Sequence, residues 1–562
     1  MIKKEQQLAE MGEETKMQQL RSKATELLLR EDWRESIQAY STFISLCQAQ
    51  ISKTHRESDP DNLSKLRKSL CLALSNRAEA RFRLKEFRDA LKDCEDALQI
   101  DGTHFKTLLC KGKILLSLNR YSLALGCFRE ALVLDPQCNG NLEMLNGFID
   151  KCKKLDYVSR TGNFDVSDWV LSGFSGKCPD LGEFVGTVEI KRSEISGRGL
   201  FSTKNIDVGA LVLVTKAVAT ERCILPKGEG DLGENAQLVM WKNFIDKVNE
   251  SASKCPKTQH LISKLSAGEN EDDLEIPDIS LFKPETEATH VFPNESLDVD
   301  KILSILDVNS LVEDAVSAKV LGRDGDFYGV GLWLLPSFIN HSCSPNARRL
   351  HIGDYVIVLA SREVKAGEEI TFAYYDVLSP LSKRKDMEKT WGFYCKCKRC
   401  KYEEGMQSKP EIEEIKVVLE RGLDVGCAIF RLEEYMKRGV VRGKEKGYFR
   451  ASFWKAFSEA YQSEKTVRRW GRKIPALEPL VESLVEAVGS DERVLKVLIR
   501  KLTKCGGGFG EMERAIKLGR GVYGKVVKKQ AMRILLELGI EKPTLNGLAM
   551  LPKFSQNESD QL

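Results

Sequence analysis

The chain has 562 residues, 42% of them hydrophobic and 30% charged, with a formal charge of +4 at pH 7. That is material for roughly two to four domains with substantial cores, which excludes a fibrous or disordered chain, and the near-balanced charge gives no global sign of nucleic-acid binding. No run reaches the roughly eighteen apolar residues of a membrane span, and Met1-Ile2-Lys3-Lys4-Glu5 lacks the apolar core that secretion needs.

Residues 1–19 read as an N-terminal extension and residues 20–155 as helices with an internal repeat. Ala78, Phe87, Ala90, Cys94, Ala97, Ile100 and Asp101 recur 34 positions later as Gly112, Tyr121, Ala124, Phe128, Ala131, Leu134 and Asp135. That is the tetratricopeptide (TPR) period, in which small residues let paired helices approach closely. Pro136 is expected to stop the second helix of its repeat. An earlier copy carries Ala24, Trp33, Ser36, Tyr40 and Phe43, displaced by 54. Its extra residues fall in Gln48 to Arg67, where Asp59-Pro60-Asp61 predicts a long connection. Repeats of this kind can offer a groove to a peptide or protein partner, or only brace a neighbouring domain. Stacking explains the pattern without any ligand, so both stand. The cysteines here, Cys71, Cys94, Cys110 and Cys127, are solitary on apolar faces. This suits reduced thiols of an intracellular protein, placed in the nucleus, the cytoplasm or both.

Residues 156–183 read as a Gly- and Ser-rich linker. From 184 to 376 the pattern turns to strands. Gly186 to Arg192 alternates, Ser196-Gly197-Arg198-Gly199 predicts a tight turn before Leu200-Phe201, and Ala210 to Val214 starts another strand. Residues 216–325 form an insert. Its middle, Gly268 to Asp300, holds eleven acidic residues, one lysine and three prolines. It reads as a solvated loop, with an acidic lid over a basic substrate as the alternative. Val356 to Ala360 and Glu369 to Tyr374 are strands, with Lys365-Ala366-Gly367-Glu368 as the turn between them. A short charged helix, Pro380 to Lys389, lies in a segment 377–405 that ends in a cysteine cluster. Residues 406–540 read as a helical domain broken at Cys505-Gly506-Gly507-Gly508, and 541–562 as a loose tail. Lys437 to Lys473 carries twelve basic residues and three acidic. Without an aromatic platform motif this reads as a solvated face, and direct nucleic-acid binding is not indicated.

The densest chemistry lies in Pro336-Ser337-Phe338-Ile339-Asn340-His341-Ser342-Cys343-Ser344-Pro345-Asn346. Amide, imidazole and thiol all need partners if buried, so this is an unlikely core segment. Such a turn can hold a ligand with Asn340 and His341 and a metal with Cys343; the plain alternative is a polar turn with an incidental cysteine. Downstream, Cys395, Cys397 and Cys400 place three thiols within six positions. Tetrahedral Zn²⁺ takes four ligands, and no fourth cysteine follows closely. A nucleic-acid-binding zinc module and a cluster without metal both remain open from spacing alone.

Taken in order, Gly197-Arg198-Gly199-Leu200-Phe201, Asn340-His341-Ser342-Cys343, Ile370 to Asp376 and Trp391 to Cys400 resemble the SET domain of protein lysine methyltransferases, in its SMYD-like branch. The resemblance covers roughly residues 184–405. It implies a β-rich core that binds S-adenosyl-L-methionine, with Arg198 and Gly199 near its amino-acid end. Ser337, Ile339, Asn340 and His341 would line the adenine and ribose side, and Phe393 would cover the adenine. Tyr374 is the implied catalytic tyrosine. Cys343 is the implied fourth ligand of a structural zinc site with Cys395, Cys397 and Cys400. Tyr375 and Phe327 or Tyr328 are expected as channel walls. The zinc-binding MYND module of SMYD proteins is missing, because the insert holds only Cys223 and Cys255 with His260 and His290. The repeats also precede the SET region, whereas comparable helices follow it in SMYD proteins.

The expected architecture is multidomain α plus β. All-α TPR repeats come first, then a β-rich SET domain with a helical insert and zinc-binding post-SET segment, then a C-terminal helical domain. The implied function is S-adenosylmethionine-dependent protein-lysine N-methylation, on histone or non-histone proteins, with a chromatin role among the options. The rival is a TPR interaction scaffold whose zinc-folded SET domain is catalytically weak or inactive.

Overall fold

The structure is a computed structural model that describes residues 2–53, 60–134, 142–172, 179–224, 231–268, 273–283, 292, 298–313, 327–407, 409–422, 424–439, 441, 443–504 and 509–541. The expected stop at Pro136, the break at 505–508, the tail 542–562 and part of the acidic stretch 268–300 lie outside the described residues. The chain divides into two compact units, one over residues 1–160 and one holding nearly all that follows. Among the described residues no helix is long and apolar enough to cross a membrane.

The first unit is helical: Ile2–Leu29, Trp33–Lys53, Pro60–Arg83, Phe87–Ile100, Phe105–Ser117, Tyr121–Leu134 and Leu142–Thr161. The first six pack as three successive hairpins. The repeat is also written in the backbone. Glu31, Lys85 and Asn119 have positive φ of 64°, 61° and 60°, and they are spaced by the same 54 and 34 positions as the sequence repeat. After each, an amide returns to a carbonyl five residues back: Asp32 to Leu27, Glu86 to Arg81, Arg120 to Leu115. This is a left-handed helix stop used three times. The small residues act as expected. A Cβ on Gly112 would lie 2.6 Å from Phe128, whose ring stacks on Phe148 at 4.9 Å.

Two boundaries differ from expectation. The supposed connection at Gln48–Arg67 is largely helix, because the second helix runs to Lys53 and the third starts at Pro60. Proline breaks a helix interior but suits a first turn, where its missing N–H costs nothing. The supposed extension 1–19 belongs to a helix that continues to Leu29.

In the second unit the strands are β1 (Phe184–Val185), β2 (Val188–Arg192), β3 (Arg198–Ser202), β4 (Leu211–Lys216), β5 (Ala219–Ile224), β6 (Leu311–Val312), β7 (Phe327–Leu332), β8 (Asn340–His341), β9 (Ala347–Ile352), β10 (Tyr355–Ala360) and β11 (Glu369–Phe372). They form small sheets ordered β1-β4-β10-β9, β2-β3-β11-β8 and β5-β7-β6. Neighbours are antiparallel except β8 and β11, where Asn340 pairs with Thr371 and His341 with Phe372. Parallel strands need a crossover, and the β9–β10 hairpin supplies it. Asn340-His341 is thereby laid beside the strand that leads to Tyr374. The insert adds helices Asp231–Lys254, Pro256–Ser263 and Val299–Asn309, which bury Met240, Phe244, Val248, Ile302 and Ile305 in the same core as the strands.

The C-terminal helices close on these sheets. Arg348 donates to Ser490 O at 3.2 Å, and the Lys525 amide reaches Gly209 O at 2.7 Å. The supposed linker 156–183 also takes part. It contains the helix Ser167–Leu171 with Trp169 and Val170 buried, and the Val166 amide donates to Val526 O at 3.0 Å.

Candidate active site and metal centre

Apolar residues carry the chain into the site. Leu335, Pro336 and Phe338 are buried in a single 3-10 turn. Ser337 Oγ donates back to Trp333 O at 3.0 Å. Ile339 is buried, and its carbonyl accepts the Tyr374 hydroxyl at 2.9 Å. Both side chains are thus engaged within the fold.

His341 sits at the centre. Its Nδ1 accepts the backbone N–H of Tyr374 at 3.0 Å. That leaves Nε2 to carry the proton, 3.3 Å from Cys343 Sγ. The same bond explains why β11 stops at Phe372 rather than Tyr374: the next amide is given to an imidazole, not to a strand. The His341 ring stacks on Tyr375 at 4.2 Å and meets Tyr374 and Phe393 at 5.3 and 5.5 Å. Its imidazole therefore lies between Tyr374 and the cysteine cluster.

The two tyrosines diverge. Tyr375 was expected as a channel wall, but its hydroxyl is turned to Glu388 Oε1 at 3.1 Å and lies 3.5 Å from Cys343 Sγ. Burial, and then the neighbouring Cys343, push its pKa up, so it stays a donor. Tyr328 lies in the core shared by the insert and the strands, with its phenol pushed up by burial. The side chain of Phe327 lies outside the described residues.

Arg198 was expected near the cofactor. Its Nη1 instead donates to Lys264 O at 2.7 Å and Glu275 O at 2.9 Å, and its guanidinium lies 5.1 Å over the Phe338 ring. Arg192 holds Leu274 O at 2.7 Å. The described part of the acidic stretch is therefore pinned by two arginines through its carbonyls, which formal charge along the sequence does not show. Beside Arg198, a Cβ on Gly199 would lie 2.3 Å from Glu369 Oε1. Asn340 Nδ2 donates to Ser196 O and Arg198 O, each at 3.1 Å, and to Glu369 Oε1 at 2.8 Å.

The Sγ atoms of Cys343, Cys395, Cys397 and Cys400 all lie within 4.8 Å of one another, and none of the four is in a disulfide. Four thiolates about 2.3 Å from a zinc ion sit roughly 3.8 Å apart, so the residues present fit a tetrahedral site. Burial alone would raise the Cys343 thiol. Hydrogen bonds from the other three cysteines and His341 hold it well below the usual range, while Cys395 and Cys400 are pushed up, chiefly by their bonds to Cys343. Sulfurs that cannot all ionise together are the donor set a divalent cation completes.

Around them lies a shell that sequence reasoning missed. Arg384 and Arg399 are fully buried. Arg384 Nη1 is 3.1 Å from Cys400 Sγ, and its Nη2 pairs with Glu403. Arg399 reaches Glu403 at 2.8 Å, Cys343 O at 3.0 Å and Val377 O at 2.6 Å. A tetrathiolate zinc carries two negative charges, which buried guanidiniums offset. The available signal was Arg399 and Glu403 four apart on the helix Lys398–Gln407.

A family model described as SET domain matches residues 197–375. A methyltransferase of Gibberella zeae is 27% identical over 391 residues, 66% of this chain and 49% of its own length. Histone-lysine N-methyltransferase SMYD3 of Mus musculus is 35% identical over 16% of this chain and 24% of its own. Histone-lysine N-methyltransferase ASHR1 of Arabidopsis thaliana is 33% identical over 23% of this chain and 28% of its own. The chain thus spans about half or less of the relatives it matches. The TPR2B-domain:pHsp70-complex of yeast Sti1 is a solved structure that covers 25% of this chain and 98% of its own at 20% identity, with a TM-score of 0.20. The repeats rest on firmer ground in their own period and their three matching left-handed turns. Residues 197–375 thus match a SET domain, SMYD-like relatives align with part of the chain, and helical repeats of the tetratricopeptide period precede that region.

Proposed function

We propose that the chain is an S-adenosyl-L-methionine-dependent protein-lysine N-methyltransferase. The observation that carries this is the meeting of Tyr374 with Asn340-His341 through the parallel β8–β11 pair and the His341–Tyr374 bond. A scaffold has no need of a fixed hydroxyl beside such a turn.

The bound cofactor would supply an electrophilic methyl group on a sulfonium. The chain's task is then to align the lysine nitrogen with that methyl, which is worth several kcal/mol, and to accept the amine neutral. Free lysine has a pKa of about 10.4, and poorly hydrated aromatic walls disfavour its charged form. Tyr374 brings its ring against Phe372 at 5.7 Å and Phe393 at 6.0 Å, which supports such a channel. Its hydroxyl donates to Ile339 O, an orientation in which the oxygen would act as the acceptor towards an amine N–H or a polarised methyl C–H. Asn340 was expected on the adenine and ribose side, but its amide nitrogen is turned to Ser196 O and Arg198 O, which supports a place nearer the cofactor's amino-acid end, and the half-buried Phe393 ring suits the adenine. Zn²⁺ held by Cys343, Cys395, Cys397 and Cys400 would be structural, tying the Asn340-His341 turn to the segment after Tyr374. Zinc binding of this kind adds about 10 kcal/mol to folding. The substrate is a lysine-bearing protein segment, histone or not, and the repeats either present it or brace the fold.

The test is transfer of labelled methyl from S-adenosylmethionine onto proteins of a cell extract. A labelled band that depends on the chain is expected. Absence of transfer onto any protein would favour the scaffold.

A further inference from the structure

We infer that the helix Glu464–Trp470 and the turn that carries it on to Lys473 form a docking ridge for double-stranded DNA, which it holds by the phosphates. The sequence alone reads Lys437 to Lys473 as a solvated face, and the fold divides that stretch. Lys437 pairs with Glu434 at 2.6 Å and Arg438 with Glu411 at 3.3 Å, while Arg450 is buried against Glu433 at 2.9 Å. The excess is densest at residues 464–473, with five basic side chains and one acidic. There the Gly471 amide reaches Val467 O at 2.8 Å and the Ile474 amide reaches Trp470 O at 3.0 Å, so helical winding continues past Trp470. At about 100° per residue, Lys465, Arg468, Arg469, Arg472 and Lys473 fall within one arc of about 140°. All five are exposed.

Little negative charge answers them. Arg468 meets Glu464 at 3.9 Å with both side chains exposed, a pairing that contributes little. Arg469 meets Asp424 at 3.2 Å. Lys465, Arg472 and Lys473 have no carboxylate partner among the described residues. Two aromatic rings, forty positions apart in sequence, hold part of this face in place. Trp470 lies over Gly426, where a Cβ would come 2.3 Å from its ring. It donates Nε1–H to Asp424 at 3.2 Å and meets the Phe430 ring at 5.8 Å. The Arg469 guanidinium lies 5.6 Å over Trp470, and Lys473 Nζ lies 5.3 Å over Trp470 and 5.8 Å over Phe430. Cations held in this way lose less rotamer freedom when a ligand arrives.

The chemistry of the face selects the partner. Val467 is the exposed large hydrophobic residue of the segment, so an acidic peptide would find few of the apolar anchors that carry protein binding. Phosphates need only a row of cations, and three of the five are arginines, whose planar forks match phosphate oxygens. Cations rather than bases lie over the rings, which suits contact with the backbone and not with sequence. The major groove of B-form DNA admits a helix between two phosphate strands, whereas the A-form groove of RNA is deep and narrow. The ridge does not depend on methyl transfer and would serve a scaffold equally.

The test is fluorescence anisotropy on the full-length protein with a labelled DNA duplex of about 20 base pairs, an RNA duplex of the same sequence, and poly-glutamate as the acidic polypeptide. About four phosphate contacts predict a fall in DNA affinity of about a hundredfold between about 50 and 200 mM salt, and duplexes of unrelated sequence should agree within about threefold. Lys465→Ala, Arg468→Ala and Arg472→Ala combined should leave melting unchanged and weaken DNA about tenfold or more at low salt. The slope of log affinity against log salt should become shallower by about three. The same charge removed from the repeats, by Lys65→Ala, Arg67→Ala and Lys68→Ala, should change DNA affinity by less than about twofold. Should the ridge variant melt early, Arg472→Ala alone should still make the slope shallower by about one. Absent or salt-insensitive DNA binding by the wild type, or equal loss in the ridge and repeat variants, would overturn the ridge. RNA or poly-glutamate bound as tightly as DNA, and lost with it in the ridge variant, would overturn DNA as the partner.

Discussion

Tyr374 and Tyr375 are neighbours with separate tasks. Read as a continuing strand, the sequence predicts by alternation that their hydroxyls part, although β11 ends at Phe372, before both. Alternation does not say where each goes, because that depends on His341 taking the Tyr374 amide and on Glu388 arriving from the following helix. Tyr374→Phe should keep zinc content and melting temperature near wild type while turnover falls about a hundredfold or more, as for loss of a preorganised polar group. Tyr375→Phe should do the reverse. Turnover should change only a few-fold, while stability drops by about 1–2 kcal/mol as Glu388 and Cys343 lose a buried donor. Turnover and thermal melts on both variants check the pair, and a large activity loss in Tyr375→Phe alone would exchange their roles.

At the scale of elements, the repeat was readable from its period and its small residues, down to Gly112 under Phe128. Helix ends were harder to read. Pro60 looks like a breaker in one dimension and is a helix start in three. Lys85 holds a left-handed turn that glycine adopts without strain, so Lys85→Gly should raise stability by up to about 1 kcal/mol, measured by denaturant unfolding. A loss of similar size would mean that the turn is set by side-chain contacts. In the metal centre three cysteines were plain from spacing, and the fourth came only by resemblance. The buried Arg384, Arg399 and Glu403 were invisible because their partners come from distant segments. Cys397→Ser should bring zinc, by elemental analysis, from about one per chain to near none, with the post-SET segment and its neighbours loosened and the repeat helices intact. Zinc-free protein with unchanged melting would contradict a structural metal.

At the scale of the whole molecule, the chain joins a helical repeat unit to a SET-bearing unit completed by C-terminal helices. In the latter, Asp376 is held by Arg493 at 2.6 Å and Arg493 by Asp491 at 3.0 Å, so the segment just after Tyr374 is anchored by a helix more than a hundred residues on. No local pattern could reveal that. If the repeats present substrate, deleting residues 1–155 should cut activity on intact protein and spare it on a saturating short peptide. Equal loss on both would assign the repeats a bracing role.

Hydrolysis of the labelled product decides whether lysine is the residue methylated. Protein labelled by the wild-type chain with radioactive S-adenosylmethionine should, after acid hydrolysis, yield its label as N-methylated lysine, and a parallel reaction with Tyr374→Phe should yield about a hundredth or less. Label recovered from another residue, or none above background with the wild-type chain, would rule out lysine methylation by this protein.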